Sequence, residues 1–200
     1  MFDWKDILDF WFGELDGDGL PDRDHRNRWF RADRRFDQEI RHRFLSLVLF
    51  ASEGGLNHWR KHPGGVLAEI LLLDQFTRNI FRGSALAFEH DRLARSLTRQ
   101  AMEKGQDMML PPVQRAFLYM PLEHSERRAD QDLSLECYEQ LAASTAGLVG
   151  DFMQSFLQAA RDHREIVCEF GRFPHRNSAL KRPSTPDELR YLEQGRRFGQ

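Results

Sequence analysis

Asp74, Gln75, Arg78, Asn79 and Arg82 stand together in LAEILLLDQFTRNIFRG, residues 67–83. The first half of this stretch is apolar on every side, which predicts a helix enclosed by other helices. Asp74 and Arg78 have the i, i+4 spacing that puts two side chains on one helical face, and Arg82 extends that face if the helix continues. Charges inside a domain must be paired or must line a cavity, because bare burial costs too much. This stretch is therefore where chemistry is expected.

Other reactive side chains fall at breaks or inside apolar stripes. Pro121 interrupts a helical pattern, and Glu123, His124, Ser125 and Glu126 follow at that irregular point. His163 lies on a stripe with Phe156, Val167 and Phe170, so it points inward, which usually marks a hydrogen-bonded core histidine. Arg172, His175, Arg176 and Asn177 occupy the segment after Gly171.

Three chemistries suit this set. Arginine forks grip carboxylate or phosphate with two bonds, so a pocket for a small anion or a peptide carboxylate is the first. A hydrolase-type enzyme is the second, with His124 or His163 as general base and Asp74 or Glu126 orienting it. A purely structural polar core with an unmarked interaction surface is the third. The first reading predicts that Arg78, Arg82, His124, His163, Arg172 and His175 meet in one cavity. Asp74 and Glu126 would not balance their charge, so a sulfate, phosphate or carboxylate is expected among them.

Several function classes are excluded by what the chain lacks. There is no nucleophile elbow, phosphate loop, dinucleotide fingerprint or HExxH, so no cofactor is expected. Asp16 and Asp18 begin a calcium-loop pattern, but Leu20 and Asn27 stand where it needs oxygen ligands, and an exposed acidic loop is expected instead. His58 and His62 share helical spacing without a carboxylate partner and sit beside Pro63-Gly64-Gly65, a helix breaker, so no metal is expected. The net charge of −2 gives no electrostatic case for nucleic acid or an anionic membrane. Two cysteines are too few for a disulfide scaffold, and Cys137 reads as a small core residue. The N-terminus lacks the basic region and cleavage site of a signal peptide, and no apolar run spans a bilayer, so a cytoplasmic protein is expected. Its oligomeric state is left open.

Helices are the elements that must hold these residues. Asp3 and Asp33 cap two of them, with Ile7, Leu8 and Trp11 on the first stripe and Phe36, Ile40, Phe44, Leu47, Val48 and Ala51 on the second. Trp29 and Phe30 re-enter the core between them. Leu86, Leu93, Ala94, Leu97 and Ala101 mark another helix, Val113 to Met120 the next, and Leu133 to Leu141 a further one. Asp151 caps a long helix carrying His163. Thr185-Pro186-Asp187-Glu188 is a capping box with proline at the first helical position. No stretch alternates with period two. The expectation is a single all-α domain over residues 1–200, with seven to nine helices.

LLLDQFTRNIFRG (71–83), LPPVQRAFLYMPLEHSE (110–126) and FGRFPHRN (170–177), with Trp29-Phe30 before Asp33, resemble the bacterial domain-of-unknown-function family 924. The resemblance covers nearly the whole chain. It implies a tetratricopeptide-like fold, in which antiparallel helix pairs stack into a curved array, and it implies no activity. Members often carry Pro at the position of Thr77 and Tyr at that of Phe81. The chain also lacks the repeat periodicity of true tetratricopeptide arrays.

Overall fold

The computed structural model describes residues 3–194. Helix α1 (Trp4–Phe12) starts at Asp3, whose carboxylate accepts from the Lys5 amide, and stops at Gly13, where φ is +63°. The acidic loop is shorter than expected. Asp16 folds onto its own loop by accepting from the amides of Asp18 and Leu20, and Asp22 then caps α2 (Arg23–Trp29). Phe30 is a second correction: it caps the end of α2 and is 58 % exposed rather than in the core. Asp33 caps α3 (Arg34–Ser52), and the buried stripe is the expected one.

The central element runs through three segments: α4 (Pro63–Leu71), a π-helical turn (Leu72–Phe76) and α5 (Thr77–Ile80). Pro63-Gly64-Gly65 does not break this helix but begins it. Proline suits the first helical position, and a Cβ on Gly65 would lie 2.2 Å from the Trp59 carbonyl oxygen. Glycine is thus required by the close approach of the preceding turn. Residues 66–80 are all buried, enclosed by α1, α3, α6 (Asp91–Glu103) and α7 (Pro112–Glu123). The helix ends at Ile80, so Arg82 sits in the turn beyond it rather than on the helical face.

Leu86 falls outside α6, in a short 3₁₀ turn (Ala85–Phe88), and is half exposed. Pro121 lies inside α7, within its last turn. Helix α8 (Arg128–Ala143) and α9 (Gly147–Phe170) pack together as the largest interhelical contact. Asp151 does not cap α9, which starts a turn earlier at Gly147. The capping box of α10 (Pro186–Gln194) forms as expected, with Glu188 accepting from the Thr185 amide at 2.7 Å.

The main core is aromatic. Phe117 of α7 meets Trp29 at 4.6 Å between ring centroids, Phe12 at 5.3 Å and Phe156 at 5.8 Å, all near edge-to-face. Each such pair contributes about 0.5–1.5 kcal/mol beyond its buried area. A smaller cluster of Ile166, Val167 and Phe173 joins the end of α9 to the C-terminal segment. Among the described residues, β pairing is limited to the isolated Leu15–Pro21 bridge. The fold is all-helical.

Candidate functional site

A cavity of about 370 Å³ opens where the π turn, the end of α7 and the middle of α9 meet the end of α2. One wall is apolar, formed by Trp29, Phe30, Met120 and Phe156. The opposite wall carries Gln75, Arg78, Asn79 and Arg82, and Glu123, His124 and His163 close it. Arg31 and Ser155 lie at the rim.

Asp74 anchors the polar wall from behind. Its carboxylate lies 2.8 Å from His124 Nδ1 and 3.1 Å from Arg78 Nη1, and it accepts from Gln75 Nε2 at 2.6 Å. Burial alone would raise its pKa, but Arg78 and His124 overcome this and hold the carboxyl well below the usual range. An ionised carboxylate only accepts, so His124 Nδ1 carries the ring hydrogen. Burial, the largest influence on His124, depresses its pKa, with Asp74 opposing. His124 therefore rests neutral with Nε2 as a lone-pair acceptor, and no described residue hydrogen-bonds that nitrogen.

The arginines are already paired. Arg78 grips Asp91 through two bonds of 2.9 and 3.0 Å, and Arg82 grips Asp37 through two of 2.8 and 2.9 Å. Asn79 donates to Asp37 as well. Neither aspartate stands out in the sequence, because each sits in the first turn of its helix, where an acidic residue ordinarily just complements the helix dipole.

His163 donates from Nδ1 to the Ala159 carbonyl at 2.8 Å, and Glu123 Oε1 lies 3.1 Å from the same nitrogen. The distance suits an ion pair, yet burial pushes His163 down to about 3 and Glu123 up to about 8. With both pKa values displaced toward the uncharged forms, the contact is between a neutral imidazole and a neutral carboxylic acid. Glu123 stands at the break after Pro121 in the sequence, but nothing near it marks it as the neighbour of His163, which lies 40 residues further on.

The other expected site residues lie elsewhere, so the single six-residue cavity does not form. Arg172 makes a bidentate pair with Glu188, at 2.6 and 2.8 Å, and donates to the Pro183 carbonyl. Glu126 pairs with Arg182 at 2.7 and 2.8 Å and accepts from the Phe173 amide. Asn177 bonds Ser184, Glu188 and Arg182, and His175 lines a separate cavity of about 450 Å³. Arg176 is buried between the Phe88 and Phe173 rings, 3.5 Å from Asp91. These residues hold the C-terminal segment onto the helices.

His62 caps α4 and stacks on Trp4, away from any carboxylate cluster. Among the described residues, no group of three or more His, Cys, Asp and Glu side chains is arranged to hold a metal ion. No described helix is long and apolar enough to cross a membrane.

Fold and site together define an all-helical protein whose π-turned central helix presents a buried Asp–His pair to a cavity. The chain belongs to the family described as bacterial protein of unknown function, DUF924, whose family model matches residues 7–196. It is similar to a solved structure of a protein of unknown function from Agrobacterium tumefaciens, with 36 % identity and a TM-score of 0.81. That likeness covers 96 % of this chain and 97 % of the other. The comparison with curated proteins gave no match.

Proposed function

We propose that the cavity is a small-molecule site and that His124, oriented by Asp74, is its general base. The observation that carries this is the 2.8 Å bond from His124 Nδ1 to an ionised Asp74, with Nε2 left without a hydrogen-bond partner among the described residues. A carboxylate on Nδ1 fixes the tautomer that leaves Nε2 able to accept a proton, and it stabilises the imidazolium that results. The aromatic wall suits an apolar ligand body, and a cavity of this size suits a molecule of modest size. Pairing of Arg78 and Arg82 with aspartates removes the charge excess on which an anion pocket would depend.

The test is a library of small carbonyl, ester and carboxylate compounds incubated with the protein in deuterated buffer and followed by NMR for turnover or deuterium uptake. His124→Gln is expected to lower any such rate by roughly 10²- to 10⁴-fold while leaving binding in place. A conversion that proceeds at full rate in that variant would overturn the assignment. Binding with no conversion of any compound would favour the second reading, a binding protein whose Asp–His pair only fixes the shape of the pocket.

A further inference from the structure

We propose that the cavity takes an uncharged ligand that carries hydroxyl groups beside an apolar face, and that the side-chain oxygens of Gln75 and Asn79 accept from those hydroxyls. This rests on the reading of the cavity as a small-molecule site and names its substrate class.

Gln75 and Asn79 line one wall of the cavity and are more than nine-tenths buried, 7 % and 6 % exposed. A carboxylate fixes each amide end for end. A carboxylate that holds an arginine only accepts, so the NH₂ end of the amide must face it. Gln75 Nε2 donates to Asp74 at 2.6 Å and lies 3.3 Å from Met120 Sδ, which occupies both of its hydrogens. Asn79 Nδ2 donates to Asp37 at 2.8 Å, beside the Arg82 fork. The other end of each amide is therefore the oxygen. Neither Gln75 Oε1 nor Asn79 Oδ1 has a hydrogen-bond partner among the described residues, and neither is sealed from solvent. With His124 Nε2 they place three unfilled acceptors on residues of one cavity. Arg78 bonds through Nη1 and Nη2 and leaves Nε–H as a donor among them.

A ligand that displaces solvent from these oxygens must bring hydrogens of its own, because an acceptor desolvated without a donor is costly. A compound whose only polar group is a carbonyl or a carboxylate brings none. An ammonium brings hydrogens together with a charge, and the charges behind the wall already cancel. Asp74, Asp91 and Asp37 stand against Arg78, Arg176 and Arg82, and Arg31 adds a cation at the rim. A hydroxyl is uncharged, donates to Gln75, Asn79 or His124, and accepts from Arg78. Trp29, Phe30 and Phe156 then face the carbon skeleton, so a compound with hydroxyls along one edge and C–H groups along the other matches both walls.

Phenylethane-diol (vicinal hydroxyls), acetophenone, benzylammonium and benzoate share one aromatic body and differ in what they offer the wall. Binding at neutral pH is read from the NMR shift of the Trp29 indole N–H and from saturation transfer to the probe. The diol is expected to bind at least about tenfold tighter than each of the other three. In the unsubstituted protein it is also expected to shift the side-chain carboxamide signals of Gln75 and Asn79, which acetophenone leaves in place. Gln75→Met and Asn79→Leu keep the bulk and remove an acceptor. Each is expected to weaken the diol by about fivefold or more while acetophenone stays within about twofold of wild type, which also reports an intact fold. Any of the other probes binding as tightly as the diol would overturn the proposal, as would no binding of the diol or a diol preference that survives both substitutions. Preference among probes needs no turnover, so it separates from the base assignment. Diol-selective binding, with turnover in the compound library indifferent to His124→Gln, removes the base and keeps the hydroxyl contacts. Turnover that needs His124, with the diol bound no better than acetophenone, does the reverse.

Discussion

Arg78 holds Asp91 with both arms of its guanidinium while Asp74 Oδ1 lies 3.1 Å from the same Nη1. One cation thus ties the π turn of the central helix to the start of α6. Arg176 reaches Asp91 from the far side, at 3.5 Å, so Asp74, Arg78, Asp91 and Arg176 alternate in sign and sum to zero. A chain of this kind tolerates burial only while it is complete.

Removing one end of that chain is expected to be costly. Asp74→Ala strips both Arg78 and His124 of a buried partner, and a loss of about 3 kcal/mol is expected, the low end for a broken buried pair because Asp91 remains. Denaturant melts measure this. A loss below about 1 kcal/mol would mean the pair behaves like a surface one.

The tautomer of His124 is directly observable. Nitrogen-resolved NMR is expected to find its hydrogen on Nδ1 at neutral pH, with titration below the ordinary 6.5 because burial depresses it. Asp74→Asn removes the charge that favours this tautomer, and turnover is expected to drop while folding survives. An Nε2–H tautomer in the wild type would remove the proposed base.

Stability should peak near pH 6.5. Glu123 has a folded pKa of about 8, raised from 4.5, so its contribution is full below 4.5 and is lost as pH rises toward 8. His163 and His175 have folded values of about 3, lowered from 6.5, so theirs is full above 6.5 and is lost as pH falls toward 3. Two groups gain against one that loses until 6.5, after which only the loss remains. Between pH 6.5 and 8 the decline is expected to be about 2 kcal/mol, and Glu123→Gln is expected to abolish it. Melting temperatures across that window test the sign, and a flat wild-type profile would count against a protonated Glu123.

The Thr77 side chain closes the widened turn from inside the helix. Its hydroxyl is shared between the carbonyls of Leu73 and Asp74, at 2.9 and 3.0 Å, at the end of the widened turn. Thr77→Val keeps the shape and removes the donor. A loss of about 1–2 kcal/mol is expected in thermal or denaturant melts, as for other buried acceptors left unpaired.

The sequence made the helices legible because their signals are local. Asp3, Asp33 and the Thr185–Glu188 box cap where expected, and the stripe from Phe36 to Ala51 is buried as its spacing requires. Asp74 beside Arg78 was legible for the same reason. Partners from distant segments were not. Asp37 and Asp91 look like first-turn residues serving a helix dipole, and nothing in their neighbourhood indicates the arginines they receive. Arg172 and Glu126 were misjudged in the opposite sense: their charge suggested a pocket, whereas each closes a bidentate pair that fastens the C-terminal segment. Gly64 and Gly65 read as a stop because glycine lowers helix propensity, but the close approach of Trp4 and Trp59 allows no larger residue there.

The π turn makes the site a matter of helical register. One surplus residue between Leu72 and Phe76 separates a regular helix that packs from one that also presents Asp74 and Gln75 toward α7. A widened turn absorbs its surplus residue locally, so deleting one residue there would let the backbone relax into a plain α-helix while the helix beyond it keeps its face. What would be lost is the placement of Asp74 and Gln75 within the turn, and with it the carboxylate that orients His124. The protein therefore cannot drift gradually out of this arrangement: the extra residue and the polar site are kept together or lost together.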